Sequence, residues 1–252
     1  MSNPAENIPD LPPFPDTDDA ALVLAWAADQ FGPNIALVSS LGPQTLVAID
    51  LLAKLGRMLP VVLIDTELLF PETYALKDRL EQHFGIRIQT VGSDLDLTAQ
   101  ANKYGDRLWE QDPDLCCGVR KVVPLRKALN GLDAWITGLR RDQSSTRSDV
   151  RTVEWDALHG LVKVNPLAAW TQEQTLRYLR ENAIPYNPLL NRGYASVGCW
   201  TCTRRSDGGS ERAGRWAGSK KSECGLHFST GADGRLSLTR TSEKPSNHGD
   251  SQ

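Results

Sequence analysis

The sequence predicts an α/β fold in which a parallel sheet is flanked by helices. Three short apolar segments, at residues 34–39, 61–64 and 86–91, are typical of buried strands. Stretches with helical periodicity separate them, and such alternation favours a parallel sheet that is covered on both faces. The length of 252 residues fits one large domain or two small ones.

The helices are predicted from their periodicity and end signals. Leu76, Leu80 and Phe84 recur at i, i+4 and i+8 behind Pro71, and so form one apolar face of a helix. The predicted helices cover residues 18–30, 45–56, 70–84, a segment that starts near Cys117 and runs toward Leu129, and 171–182, which begins at a capping box of Thr171 and Gln174. Further strands are predicted at residues 134–137 and 160–164.

Both ends of the chain differ in composition from its middle. The prolines within residues 1–15 predict a disordered lead. From residue 203 to the end there is no Val, Ile or Met, so this segment cannot build its own core and is either mobile or folded onto the preceding domain. We therefore expect one domain over residues 16–203 and a flexible C-terminal segment over residues 204–252.

Charge and hydropathy exclude several classes of partner. With a net charge of −3, the chain has no basic field to attract nucleic acid or an anionic membrane. No apolar run approaches the roughly 20 residues of a membrane span, and the acidic, proline-rich N-terminus is unlike a signal peptide. We therefore expect a cytoplasmic protein that binds neither nucleic acid nor membrane. In that compartment, cysteines are expected to be reduced, metal-bound or catalytic rather than paired in disulfides.

The turn after the first predicted strand is a candidate anion site. Ser39, Ser40 and Gly42 lie where small residues let backbone N–H groups face an anion and a helix N-terminus adds positive potential. An ordinary strand–helix turn explains these residues equally well, and no Gly-Lys-Ser/Thr follows as in a Walker motif. Asp65 and Gly138 follow other strands, and the strand ends of an open parallel sheet face one ligand crevice.

Basic residues gather near the same predicted edge of the sheet. Arg140, Arg141 and Arg147 follow a strand end, and arginine forks match phosphate and sulfate oxygens. A solvated face with partner carboxylates is an equally good interpretation of this cluster. Further cations, near the cysteines or in the C-terminal segment, are Arg120, Lys121, Arg212 and Arg215.

Four of the five cysteines form two tight pairs. Cys116 and Cys117 are adjacent, and Cys199 and Cys202 form a C-x-x-C pair, which together suggest a four-thiolate metal site. Zinc prefers two looped knuckles, which adjacent cysteines cannot form because successive side chains diverge. Each corner iron of a [4Fe–4S] cluster takes one thiolate, so the spacing favours this cluster over zinc. Such a cluster can also be a structural staple that transfers no electrons.

Cys224 is the remaining cysteine and a candidate nucleophile. Lys220, Lys221 and His227 are close in sequence and would favour its thiolate form. An incidental exposed cysteine is the alternative, but a free exposed thiol is prone to oxidation, which favours a catalytic role. If the other cysteines bind a cluster, Cys224 has no resolving partner in its own chain, and an external dithiol partner is expected.

These motifs together resemble the assimilatory sulfonucleotide reductases, and specifically the iron–sulfur adenylyl-sulfate (APS) reductases. The resemblance extends from residue 39 to residue 227. The matching motifs are SSLG at 39–42, LFPETY at 69–74, CCGVRKVVPL at 116–125, GLRRDQSSTR at 138–147, NPL at 165–167, PYNPLLNRGYASVGCWTCT at 185–203, ERAGRW at 211–216 and ECGLH at 223–227.

The resemblance implies a Rossmann-like adenine-nucleotide α-hydrolase fold and the reduction of APS to sulfite and AMP by thioredoxin or a glutaredoxin-like dithiol. It implies that Cys224 attacks the sulfate sulfur and carries an S-sulfo group while the C-terminal segment closes over the substrate. The oligomeric state stays open, a homo-oligomer included. The cluster ligands would be Cys116, Cys117, Cys199 and Cys202, and the substrate-binding residues would be Ser39, Ser40, Gly42, Asp65, Lys121, Arg140, Arg141, Arg147, Arg212, Arg215 and His227.

Three alternatives remain at this stage. The SSLGPQ loop is more similar to that of cluster-free enzymes that use the 3′-phosphorylated substrate (PAPS), so PAPS or dual use stays open. An ATP-pyrophosphatase-type enzyme on the same fold would normally carry an SGG-x-D-S loop, which is missing here. A metal-stapled binding or redox-sensing protein would not need Cys224 for turnover.

Overall fold

A six-stranded sheet forms the centre of the fold. The computed structural model describes residues 11–206, 208, 211–216, 221 and 223–226. The strands are β1 (Ile35–Ser39), β2 (Val61–Asp65), β3 (Ile88–Gly92), β4 (Ala134–Ile136), β5 (Val153–Asp156) and β6 (Leu161–Val164). They lie in the order β3-β2-β1-β4-β6-β5, and all neighbours are parallel except β5, which is antiparallel to β6. The prediction of a parallel sheet is confirmed.

The strand order places a ligand crevice at one edge of the sheet. The chain proceeds from β1 through β2 to β3 on one side, and then returns to β4 and β6 on the other side of β1. Where the direction of winding reverses, the connections after neighbouring strands diverge and leave a crevice beyond their carboxyl ends. The crevice is therefore expected beyond Ser39 of β1 and Ile136 of β4.

Helices cover both faces of the sheet, as predicted. They are α1 (Ala20–Phe31), α2 (Pro43–Lys54), α3 (Pro71–Phe84), α4 (Leu97–Tyr104), α5 (Leu108–Gln111), α6 (Pro113–Cys117), α7 (Val123–Leu129) and α8 (Gln172–Glu181). Thr171 and Gln174 form the predicted capping box at the start of α8. Single 3₁₀ turns occur at Gly32–Asn34, Arg141–Gln143, Ser145–Arg147, Pro188–Arg192 and Trp200–Cys202.

Side-chain alternation along the strands produces two apolar layers. Ile35 and Leu37 of β1 belong to the layer that contains the buried residues of α1, α2, α3 and α8. Ala36 faces the opposite side, where it packs in one cluster with Leu125 and Leu129 of α7. β1, β2 and β4 are buried on both faces, so their sequences are almost continuously apolar, which made them recognisable, whereas the edge strand β3 exposes Gln89 and Thr90.

β5, α4, α5 and α6 were not predicted from sequence. β5 is one of the two edge strands and is joined to β6 by a tight turn in which the Gly160 N–H donates to the Asp156 carbonyl at 2.7 Å. Its four residues, VEWD, include two acidic side chains, so the segment has only a weak apolar signal. α4 is mostly polar, and its start is fixed by the Asp96 carboxylate, which accepts a hydrogen bond from the Ala99 N–H at 2.7 Å.

A π-helical turn, Gly118–Val122, separates α6 from α7. The Val123 N–H donates to the carbonyl of Gly118, which is an i to i+5 bond. Pro124 follows directly, and in a regular α-helix it could not donate to the carbonyl of Arg120 and its ring would clash with it. The wider turn accommodates the proline, and such turns often occur at functional sites. Here the turn lies between the Cys116–Cys117 pair and α7.

Both terminal segments contact the domain where the structure describes them. Of the predicted lead, residues 1–10 lie outside the described residues, whereas residues 11–15 lie against α1, with the Trp26 Nε1 donating to the Pro13 carbonyl at 2.9 Å. We name the described residues from 203 to 226 the strap. Trp216 of the strap is buried and Leu226 packs against the α7 side of the sheet. Within the described ranges, no helix has the length and apolar character that crossing a membrane requires.

Candidate active site

A cleft lies beyond the carboxyl ends of β1 and β4, where the strand order places it. Ser39, Ser40 and Gly42 line it, as the sequence predicted for an anion-binding turn. The Ser39 Oγ lies 2.6 Å from the Thr45 Oγ1 and accepts from the Leu41 N–H at 2.8 Å, so Ser39 shapes the turn from within. Ser40 is exposed, and α2 begins immediately after Gly42. A helix N-terminus therefore faces the cleft.

Gly138, after β4, closes the other side of this turn. A Cβ at this position would lie 2.9 Å from the Thr45 Cγ2 and 3.1 Å from the Gln44 Cβ. Only glycine allows the loop after β4 to approach the start of α2 this closely. The glycine thus holds the two loops of the crevice together.

Asp65 was predicted to bind substrate, but the structure places it in a structural role. It is not among the residues that line the cleft. Its Oδ1 accepts from the Tyr74 hydroxyl at 2.7 Å and from the Glu67 N–H at 2.8 Å, which ties the loop after β2 to α3. Burial and this hydrogen bond raise the pKa of Tyr74. The neighbouring Thr66 lines the cleft instead.

The three arginines after β4 have different surroundings. Arg140 is fully buried and pairs with Asp142 and Glu211, and Arg141 donates from its Nε to the Val150 carbonyl at 2.9 Å. Neither side chain lines the cleft, so the structure places them in the scaffold, where the partner-carboxylate interpretation holds for Arg140. Arg147 does line the cleft.

The strap brings two further arginines to the cleft, as the sequence predicted. The Arg204 N–H donates to the Gly214 carbonyl at 2.8 Å and the Trp216 N–H donates to the Cys202 carbonyl at 3.0 Å, so the strap folds back on the C-x-x-C segment. Arg212 and Arg215 then line the cleft. A Cβ on Gly198 would lie 2.5 Å from the Arg215 Nη2, so this glycine makes room for the guanidinium.

Trp216 organises the cations of the strap. Its ring lies 4.5 Å from the Arg215 guanidinium carbon, 5.5 Å from that of Arg212 and 5.6 Å from the Lys221 Nζ. The negative face of an indole attracts such cations and lowers the free-energy cost of gathering like charges. The Nε of Arg215 is buried and has no hydrogen-bond partner among the described residues. The site therefore holds positive charge that a bound anion can neutralise.

Cys224 lies in the same cleft and is partly buried. Burial alone would raise the pKa of its thiol, but the charges of Lys121 and Arg212 outweigh this effect and lower the pKa below its ordinary value of 9.0. Burial likewise opposes the charge on Lys121, while the nearby Cys199, Cys117 and Cys224 raise its pKa. The arrangement favours a thiolate next to a cation. His227, the last predicted substrate residue, lies outside the described residues.

Two carboxylates that the sequence analysis missed hold the strap to the domain. Glu211 pairs with Arg140 and accepts from the Gln44 Nε2 at 3.2 Å. Glu223 pairs with Arg147 at 2.8 Å and with Arg212 at 3.2 Å. Burial acts to raise the pKa of Glu223, but the hydrogen bond and charge of Arg147, together with Arg212 and Thr146, outweigh it and lower the pKa. Glu211 and Arg140, like Glu223 and Arg147, are more than 70 residues apart in the chain. No local sequence pattern could therefore indicate these ion pairs.

The four remaining thiols lie near one another. Cys116, Cys117 and Cys199 are buried, Cys202 is partly exposed, and all are free thiols. Burial, and then the charges of Cys117, Cys199 and Cys202, raise the pKa of Cys116 to about 12. The Cys199 Sγ is also 3.3 Å from the Thr66 Oγ1. The fold thus brings together both predicted pairs, one from the end of α6 and one from the segment before the strap.

As they stand, these side chains do not form a finished ion site. Among the described residues, no group of three or more His, Cys, Asp or Glu side chains is arranged to hold a metal ion. The donor chemistry nevertheless fits a thiolate-bound group, because buried thiols that raise one another's pKa gain from a cation that neutralises them. Sulfur-only donors suit zinc or an iron–sulfur cluster.

The family model for the phosphoadenosine phosphosulfate reductase domain matches residues 34–205. A Salinibacter ruber protein named adenosine 5'-phosphosulfate reductase is 44% identical over 209 residues, which cover 82% of this chain and 83% of that protein. A Gloeobacter violaceus protein named phosphoadenosine 5'-phosphosulfate reductase is 43% identical over 209 residues, covering 81% and 87%.

A solved structure agrees with the sequence relatives. The crystal structure of phosphoadenylyl-sulfate (PAPS) reductase from Candida auris, in a phosphate complex, is 33% identical, with a TM-score of 0.65 over 72% of this chain and 88% of that chain. The sequence match covers the sheet and the segment with the C-x-x-C pair, and the shared architecture is that of adenine-nucleotide α-hydrolase-like enzymes. The chain therefore belongs to the phosphoadenosine phosphosulfate reductase family.

Proposed function

We propose that the protein reduces APS to sulfite and AMP, with Cys224 as the nucleophile and thioredoxin, or a similar dithiol protein, as the electron donor. The observation that carries this proposal is the position of Cys224, which lies in a cleft with Lys121, Arg212 and Arg215 beyond the N-terminus of α2. Relatives named adenosine 5'-phosphosulfate reductase, such as that of Salinibacter ruber, support the choice of substrate. The proposal makes the protein an enzyme of sulfate assimilation, acting in the cytoplasm.

The first step is a displacement at sulfur. The Cys224 thiolate donates its electron pair to the sulfate sulfur, and the bond from that sulfur to the bridging phosphate oxygen breaks, so that AMP leaves with the electron pair. Negative charge grows on the leaving phosphate, where Lys121, Arg212 and Arg215 stabilise it. The N-terminus of α2 provides further positive potential for the phosphate. The product on the enzyme is an S-sulfocysteine.

The second step requires two electrons from outside the chain. A thiolate of the external dithiol attacks the Cys224 sulfur, and sulfite leaves with the electron pair of the broken sulfur–sulfur bond. The second thiol of the partner then attacks the mixed disulfide and restores the Cys224 thiolate. Both electrons come from the dithiol. The residues over 16–203 would form the nucleotide-binding domain, and residues 204–252 would carry the nucleophile to it.

A [4Fe–4S] cluster is the proposed occupant of the thiolate quartet, with Cys116, Cys117, Cys199 and Cys202 as its ligands. When bound, the cluster would supply iron centres that neutralise the four thiolates, three of them buried, and would fasten the end of α6 to the C-x-x-C segment. The adjacency of Cys116 and Cys117 favours it over zinc, which prefers looped knuckles. Because the dithiol provides both electrons, the staple role is sufficient for the chemistry above.

PAPS is the second candidate substrate. The SSLGPQ loop supports it, and relatives from Gloeobacter violaceus and Candida auris are named as reductases of that compound. Turnover with APS and with PAPS, measured by sulfite release with thioredoxin present, separates the two. We expect kcat/KM to be larger for APS, and a larger value for PAPS would overturn the preference.

The nucleophile is tested by trapping the intermediate. Incubation with APS in the absence of reductant should add one sulfo group to the peptide that contains Cys224, as detected by mass spectrometry. Cys224→Ser should lose both the adduct and sulfite release, while the visible absorbance of the cluster stays at the wild-type level and serves as the control for folding. Sulfite release by Cys224→Ser at the wild-type rate would refute the assignment.

A further inference from the structure

Glu223, the residue directly before the nucleophile, makes a two-pronged contact with the domain. The Arg147 Nε donates to its Oε1 at 3.0 Å, and the Arg147 Nη2 donates to its Oε2 at 2.8 Å. The Thr146 hydroxyl also donates to Oε1, at 3.1 Å, and the Arg212 Nη2 donates to Oε2 at 3.2 Å. This paired arrangement of a guanidinium and a carboxylate is the strongest kind of side-chain ion pair.

The contact leaves Arg147 little capacity for another anion. Its Nε and Nη2 face Glu223, and its Nη1 donates to the Gln143 Oε1. The side chain is also buried, at 9% exposure, so a substrate oxygen could reach this fork only by displacing Glu223. Although Arg147 lines the cleft, its fork is already occupied by an anion of the protein itself.

We propose that Glu223 and Arg147 form a latch that positions Cys224 for attack, and that Arg147 acts through Glu223 rather than by binding the phosphosulfate. The latch joins two residues that are 76 positions apart in the chain. Glu223, its residue in the strap, directly precedes the nucleophile Cys224. It also connects the 3₁₀ turn Ser145–Arg147 of the domain to the strap. The strap is therefore fixed next to the sulfur that must be aligned with the substrate. The phosphosulfate is then bound by Lys121, Arg212 and Arg215. The proposal rests on the function proposed above.

The latch also explains how one thiol can serve two partners. Attack on the substrate requires Cys224 inside the cleft, whereas the release of sulfite requires the same sulfur to meet an external dithiol protein. A hydrogen-bonded ion pair can break and reform without unfolding the sheet, because it holds only the strap. Glu223 therefore sets the balance between the two positions.

The test uses Glu223→Gln, which keeps the size of the side chain and removes its charge, and Glu110→Gln as the matched control. Glu110 pairs with Arg107 in an exposed i, i+3 contact far from the strap in sequence. For Glu223→Gln we expect the single-turnover rate of S-sulfonation of Cys224 to fall about 10- to 100-fold, because misplacement of a reacting group by about 1 Å has such an effect. The affinity for AMP should stay within about twofold of wild type, which separates positioning from substrate binding.

Arg147→Gln should reproduce the effect, and the double variant should be no slower than the slower single variant, because both changes break the Glu223–Arg147 pair. Glu223→Asp keeps the negative charge on a side chain that is one methylene shorter, so it should retain part of the rate that Glu223→Gln loses. Tighter AMP binding in Glu223→Gln would instead show that the carboxylate competes with substrate for Arg147, and would overturn the proposal. Additive losses in the double variant would also overturn it.

A second measurement needs no substrate. Alkylation of Cys224 by iodoacetamide, followed on its own peptide by mass spectrometry, should become several-fold faster in Glu223→Gln than in Glu110→Gln, because the thiol spends more time outside the cleft. An unchanged alkylation rate would refute the latch. If APS were not the substrate, the alkylation result would still stand, so failure of the latch and failure of the proposed reaction are distinguishable.

Discussion

The sheet and the strap are held by different forces. The sheet buries continuous apolar strands between two helical layers, so its stability comes from the hydrophobic effect. The strap contributes few apolar contacts, mainly Trp216 and Leu226, and is fixed by the carboxylates of Glu211 and Glu223. Breaking one of these ion pairs costs less free energy than disrupting a packed apolar core. This difference suggests that the strap can detach while the sheet remains folded.

The largest expected effect is on the scaffold alone. Leu63 is fully buried in the layer under α1 and α2 and does not line the cleft. Leu63→Ala should lower the free energy of unfolding by about 2–5 kcal/mol, because it leaves a cavity in a packed core. Urea unfolding followed by circular dichroism measures this, and the turnover of the folded fraction should stay near wild type.

Leu22→Ala is the matched control, since Leu22 is 55% exposed on α1. It should change the free energy of unfolding by less than about 0.5 kcal/mol. A comparable loss in both variants would mean that the apolar layer is not the source of the stability of the sheet.

A substitution in the strap should show the opposite pattern. A Cβ on Gly214 would lie 2.2 Å from the Arg204 carbonyl oxygen, which is backbone and cannot move aside without breaking the strap. Gly214→Ala should therefore displace Arg212 and Arg215 and reduce kcat/KM about 100-fold or more, the effect of removing oriented charge from a developing anion. The unfolding midpoint in urea should change little.

The neighbouring exposed residue Ala213 provides the control. Ala213→Ser should leave kcat/KM near wild type. If Gly214→Ala lowered the unfolding midpoint as strongly as Leu63→Ala, the strap and the sheet would be one cooperative unit, and the comparison between them would fail.

The smallest expected effect is on the loss of Cys224 reactivity as the pH falls. Since Lys121 and Arg212 lower the pKa of this thiol, its thiolate should persist as the pH falls below 9.0 and disappear only below the lowered pKa. Arg212→Met removes one of the two cations, so the midpoint of iodoacetamide alkylation of Cys224 should move to higher pH. A midpoint that stays fixed or moves to lower pH would show that Arg212 is not next to the thiolate.

The same contrast explains what could be predicted from sequence. The central strands leave almost continuous apolar runs, so most of the sheet was predicted, and only β5, with two acidic residues among its four, was missed. The cysteine pairs and Ser39 to Gly42 were found because their chemistry is local in sequence. Arg140 and Asp65 were assigned to substrate, yet each is engaged by the protein itself.

The partners of these two side chains could not be predicted from residue type. The guanidinium of Arg140 meets Glu211 from the strap, 71 residues away, and the carboxylate of Asp65 meets a tyrosine one helix turn into α3. Whether a charged side chain binds a ligand or pairs within its own chain depends on contacts that form only in the folded protein. Residue type and position at a strand end cannot distinguish the two, which is why Glu211 and Glu223 emerged only from the structure.

The thiolate quartet has a consequence for the topology of the chain. Cys117 and Cys199 lie on opposite sides of a stretch that contains β4, β5, β6 and α8. A ligand that bridges the two pairs closes a covalent ring around half of the sheet, and so shrinks the number of conformations open to the denatured polypeptide. Its extraction would loosen that half first, even though none of its atoms belongs to the apolar interior.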